Sequence, residues 1–160
     1  MKYMMMLKEG QKAPAFTLAD KDGKSHALKD YAGQWVLIYF YPKDDTPGCT
    51  TEACALRDAH PEFRKLDAVV LGVSKDTEKS HARFAEKYGL PFTLLSDPSA
   101  ETIKAYGAWQ MKKFMGREFM GIVRMSCLID PDGKIAKVYP NVKPAEHAKE
   151  VLADIDALRS

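Results

Sequence analysis

Residues 35–56 constrain the chain more than any other stretch. They open with Trp35-Val36-Leu37-Ile38-Tyr39-Phe40-Tyr41, a run of aromatic and β-branched side chains. An unalternated apolar run of this length reads as a strand buried on both faces. Pro42, Pro47 and Gly48 then punctuate a polar turn. From Thr46 the residues fit a helix start. Thr46 suits the cap, Pro47 the first helical position, and Glu52 adds negative charge near the opening turn. Cys49 thus falls in the first turn of a helix, just past a buried strand. Free N–H groups and the helix dipole favour an anion there. A thiol in that place gives up its proton more readily than free cysteine, and the thiolate is the nucleophile. Cys49 is therefore read as reactive, not as a small buried apolar residue.

The 160 residues suffice for one domain, 1–160, with a full core. Charged residues make up 29% and the net charge is +2 with both signs scattered, so no basic block points to nucleic acid and no acidic tail is present. The run Met1–Leu7 is too short for a signal-peptide core, and no stretch approaches membrane-spanning length. These features predict a cytoplasmic protein with no membrane or nucleic-acid partner. Three cysteines argue against a disulfide framework and for redox or catalytic use. His26, His60, His81 and His147 are scattered and form no Cys/His cluster, so no structural metal site is expected.

The remaining elements follow in order. Phe16–Leu18 and Ser25–Leu28 flank the turn Asp20–Lys24 and predict a small N-terminal hairpin. The cysteine-bearing helix is expected to end near His60, with Pro61 starting a second helix and His60 as a joint residue. Ala68–Ser74 reads as another apolar strand. Asp76 is expected to cap a helix over Thr77–Tyr88, with His81 on its solvated side and Gly89 ending it. Pro91–Ser96 reads as a strand, and Asp97-Pro98 opens a helix through Tyr106. Residues 108–121 mix Trp109, Met111, Phe114, Met115, Phe119 and Met120 with Lys112, Lys113, Arg117 and Glu118 without clear period. They are read as core and loop packing, against the alternative of an apolar lip beside a site. Ile122–Asp130 returns to strand character, Asp130–Gly133 turns, Lys134–Tyr139 completes a hairpin, and Pro144 starts a last helix. The order predicts an α/β fold with a mixed central sheet flanked by helices, similar to the thioredoxin fold.

Pro42-x-x-x-Thr46-x-x-Cys49 resembles the active-site signature of the peroxiredoxins. The Cys49-x-x-x-x-Cys54 spacing resembles their subgroup called bacterioferritin comigratory protein, or peroxiredoxin Q. The resemblance runs from about Gly10 to the C-terminus. It implies a thioredoxin-dependent thiol peroxidase, without cofactor and monomeric, that reduces hydrogen peroxide and organic hydroperoxides. It implies Cys49 as the peroxidatic cysteine, Thr46 as the hydroxyl that meets thiolate and peroxide, Pro42 as a shield against water, and Cys54 as the resolving cysteine. A fixed cation should face the thiolate. Arg124, a lone charge within an apolar run and matched by an arginine in the family, is the candidate, with Arg117 the weaker one. Cys127 is read as core. In an intact helix Cα atoms five residues apart lie about 8–9 Å from each other, beyond the ~7 Å reach of a disulfide. A Cys49–Cys54 bond therefore requires local unwinding. Two competing readings are a thioredoxin-like thiol–disulfide oxidoreductase, disfavoured because Cys-x-x-Cys is absent, and a non-enzymatic redox sensor.

Overall fold

The structure, a computed structural model, describes residues 7–159. All but Leu7 of the N-terminal apolar run lies outside them. Strand β3 (Trp35–Phe40) is buried along its whole length. It pairs in parallel with β4 (Ala68–Ser74) and antiparallel with β8 (Met125–Ile129). Its bulky side chains thereby fill both faces of the sheet centre, as an unalternated run demands. Outward from this core come β5 (Thr93–Ser96), β1 (Thr17–Asp20) and β2 (Ser25–Ala27) on one side, and β9 (Ile135–Tyr139) on the other. The seven strands run β2-β1-β5-β4-β3-β8-β9, a mixed sheet with the expected N-terminal hairpin at one edge. Tyr39 lies opposite Gly72, where a Cβ would come within 2.8 Å of its ring, so glycine makes room there for the ring.

Helices cover both faces. Leu37, Tyr39 and Tyr41 pack against α1 (Pro47–Lys65), α2 (Glu78–Tyr88) and α4 (His147–Arg159). Val36, Ile38 and Phe40 pack against α3 (Glu101–Ala105) and Tyr106. Among the described residues no helix is long and apolar enough to cross a membrane.

Several expectations are corrected. Helix α1 does not end at His60 but continues unbroken through Pro61 to Lys65. Ala53, Leu56 and Phe63 are all fully buried on one side of it. Burial of Phe63 contributes about 1.5–3 kcal/mol, and the packing of Ala59 and Leu66 adds to it. Together these offset the roughly 3 kcal/mol cost of a mid-helix proline. His60 is accordingly a mid-helix residue beside Phe92. The cap of α2 is Thr77, whose hydroxyl accepts from the Ser80 N–H. Asp76 cannot serve, because its carboxylate is taken by Ser74 Oγ and by the Asp44 N–H. His81 is not solvated but fully buried. Pro98 does not open α3: Ala100 takes a left-handed conformation (φ 63°) and the helix starts at Glu101. The last helix begins at His147, after a turn in which Glu146 and His147 donate to the Lys143 carbonyl.

The aperiodic segment is a separate hairpin. Strands β6 (Trp109–Phe114) and β7 (Arg117–Ile122) pair only with each other. Met115 (φ 53°) and Gly116 (φ 77°) form its tip, the double positive-φ turn of tight hairpins. Among the described residues neither face is covered along its outer half, so the sequence carries no period of burial. The reading as core packing is overturned: Met111, Phe114, Met115, Phe119 and Met120 are exposed, Met115 by 83%.

Candidate active site

The end of β3 delivers Tyr41 and Pro42 to the loop that enters α1, and Cys49 sits buried in the first turn of that helix. Thr46 occupies the cap position in extended conformation, with Pro47 at the first helical position. Its hydroxyl does not cap, however. It donates to the Lys43 carbonyl at 2.8 Å, which leaves the first-turn N–H groups without a side-chain acceptor.

Arg124 reaches Cys49 from across the site. It stands in the short break between β7 and β8, not within a strand as expected. One guanidinium nitrogen, Nη2, donates to Cys49 Sγ at 3.4 Å, and Nη1 donates to Glu52 Oε1 at 2.9 Å. Burial works against the charge on Arg124, but Cys49 and Glu52 outweigh it and hold the group protonated. Arg117, the weaker candidate, lies exposed at the start of β7.

Two contributors went unnoticed in the sequence. Glu52, read as an opening-turn charge, is fully buried, and its Oε2 has no hydrogen-bond partner. Burial pushes its carboxyl up to about 7, against the pull of Arg124. Gly48 makes room for the guanidinium, since a Cβ there would come within 2.8 Å of Arg124 Nη2. The three-residue step from Cys49 to Glu52 puts both on one helix face. That spacing was the available signal.

Cys54 lies half-buried on the same unbroken helix, and all three cysteines are free. Cys127 is buried on β8 between Ile38 and Val138, and burial pushes its thiol up to about 12. It behaves as a core residue. Pro42 is half-buried at the rim. On hairpin β6/β7, Lys112 and Phe119 are directly paired and share a face. Lys112 Nζ donates to the Ile122 carbonyl at 2.8 Å, two residues before Arg124. Burial lowers its pKa, and Arg124 and Cys49 are close enough to act on it as well, so this face borders the site.

A sheet end feeding a helix that opens on a cysteine, with a guanidinium on its sulfur, defines a thiol-chemistry protein of thioredoxin-like fold. A family profile described as AhpC/TSA family matches residues 9–138. The chain is 47% identical over 148 residues to Peroxiredoxin Bcp of Bacillus subtilis (strain 168), covering 92% of this chain and 94% of that one. It is 49% identical over 149 residues to Peroxiredoxin Bcp of Escherichia coli (strain K12), covering 93% and 96%. The solved structure of Xanthomonas campestris bacterioferritin comigratory protein, whose description concerns alkyl peroxide reduction, superposes with a TM-score of 0.89 at 38% identity, over 96% of this chain and all of that one. The chain belongs to the AhpC/TSA family, in its peroxiredoxin Bcp and Q group.

Proposed function

We propose that the protein is a thiol-dependent peroxidase for hydrogen peroxide and organic hydroperoxides. The observation that carries this reading is the 3.4 Å contact between Arg124 and Cys49 Sγ at the start of α1. The Cys49 thiolate attacks the terminal peroxide oxygen. An S–O bond forms, the O–O bond breaks, and the alcohol or water leaves with the peroxide's hydrogen, giving the Cys49 sulfenate. Arg124 stabilises negative charge on sulfur and on the departing oxygen. The Thr46 hydroxyl has its own hydrogen committed to Lys43, so its lone pairs are open to accept from the peroxide O–H. Pro42 limits water at the sulfur. The protonated sulfenic acid then reacts with the Cys54 thiol, forming the disulfide and releasing water. An external dithiol of the thioredoxin kind returns both cysteines to thiols. No cofactor takes part. The protein acts as a monomer in a reducing, cytoplasmic setting.

Intact mass after one equivalent of peroxide tests the cycle. Wild type and Cys127→Ser lose two hydrogens, Cys54→Ser gains one oxygen, and Cys49→Ser stays unchanged. A stable oxygen adduct on wild type would remove Cys54 from the mechanism.

Phe119 is exposed on the Lys112 face that borders the site, and the hairpin's other exposed rings and thioethers continue from it, which extends the reading toward organic substrates. Replacing Phe119 and Met115 by serine should lower the cumene hydroperoxide to hydrogen peroxide rate ratio by about threefold or more, the worth of a partly buried apolar contact. An unchanged ratio would exclude the hairpin from substrate choice.

A further inference from the structure

An elaborate buried polar cluster lies behind the loop that carries Thr46. Asp44 is 7% exposed. Its Oδ1 accepts from the Tyr41 hydroxyl at 2.6 Å, and its Oδ2 accepts from the Ser80 hydroxyl at 2.8 Å. His81 Nδ1 lies 2.7 Å from the same Oδ2, and His81 Nε2 lies 3.0 Å from the Leu95 carbonyl. A carbonyl only accepts, so Nε2 carries a hydrogen, and Nδ1 shares one with the Asp44 carboxyl. The backbone N–H of Asp44 donates to Asp76 at 2.8 Å. The next residue, Asp45, is held in a left-handed conformation (φ 55°), and its carboxylate takes the Lys87 ammonium and the Tyr88 hydroxyl, both at 2.8 Å. Helix α2 thus grips both residues that immediately precede Thr46.

Burying a carboxylate is costly, and an apolar replacement of similar shape commonly stabilises a fold as well or better. What a fully satisfied network supplies in addition is one geometry. Here that geometry bears on Thr46, whose hydroxyl points according to the Lys43–Asp45 turn.

We propose that Asp44 and His81 are positioning residues of the peroxidase: through the loop 42–46 they fix the Thr46 hydroxyl where it meets the peroxide. This rests on the peroxidase reading above. Neither residue has a hydrogen bond to Cys49, so their loss should disturb the reaction that needs Thr46 and spare one that needs only the thiolate.

Two rates at Cys49 separate these cases: single-turnover oxidation by hydrogen peroxide, and alkylation by iodoacetamide, in which sulfur displaces iodide without help from the loop. For His81→Leu and Asp44→Ala the peroxide rate should fall about tenfold to a hundredfold, the effect of ångström-scale misplacement, with the alkylation rate within twofold of wild type. Asp44→Asn keeps an acceptor for Tyr41 and should recover most of the loss. If the stronger variants do not fold, Ser80→Ala, which deletes one contact to Asp44 from a half-buried position, should lower the peroxide rate about threefold, the worth of one hydrogen bond. Equal loss in both reactions, or no loss in either, would overturn the proposal. A wild type that alkylates but never reacts with peroxide would instead defeat the peroxidase reading itself.

Discussion

Arg124→Ala will lower the second-order rate constant of Cys49 with hydrogen peroxide by about a hundredfold to a thousandfold, the usual cost of deleting one preorganised donor from a site of charge development. Stopped-flow single-turnover measurement reads this directly, and a rate within threefold of wild type would remove Arg124 from the chemistry. The effect is large because one guanidinium serves two partners. Its Nη2 is on the Cys49 sulfur and its Nη1 on Glu52. Lysine presents a point charge without that fork, so Arg124→Lys should recover only part of the loss. Gly48→Ala should weaken the reaction in the same direction, since the added methyl group would sit in van der Waals overlap with Nη2.

Oxidation will unwind the first turns of α1. Both cysteines lie on a continuous helix, where helical geometry puts their Cα atoms about 8–9 Å apart, too far for a disulfide. On conversion to the Cys49–Cys54 disulfide, amide hydrogen exchange across residues 49–56 should lose about a hundredfold or more in protection, as in a segment opened locally. The loss should stop short of Phe63. Two features mark that boundary. Arg57 Nη1 ties the helix to the Tyr88 carbonyl at 2.8 Å. Pro61 offers no N–H to the carbonyl four residues earlier, so the two halves of the helix are joined by one bond fewer. Full protection of residues 49–56 in the disulfide form would sink this account. Cys54→Ser should keep its protection after peroxide treatment.

The cysteine-bearing end of the fold was legible because its signals are local. A buried strand, a proline-glycine turn and a cysteine at helical position three are neighbours in sequence, and each constrains the next. Arg124 was legible for a different reason: a lone charge among apolar residues must find a partner. What escaped detection depends on distant partners. Glu52 reads as an ordinary helix-start acid until Arg124, 72 residues away, is placed beside it. His81 falls on the polar side of an amphipathic helix, and only the Asp44 loop, 37 residues earlier, turns that side inward. The break expected at Pro61 follows local propensity, which the burial of Phe63 overrides. Hairpin β6/β7 leaves no periodic trace because its outer half is exposed among the described residues, so its rings and thioethers read in the sequence as core packing.

Glu52 also links the site to acid tolerance. Its carboxyl titrates near 7 in the folded protein, against an ordinary value of 4.5. Between those two values the native state holds a proton that the unfolded chain releases. The contribution to stability is therefore complete below pH 4.5 and drains away as the pH rises toward 7, by about 3 kcal/mol in total at 1.36 kcal/mol per pKa unit. Most proteins lose stability in acid because their paired carboxylates protonate. At this one position the balance runs the other way: the ionised carboxylate, buried at neutral pH, is the form that burdens the fold, and mild acid relieves it.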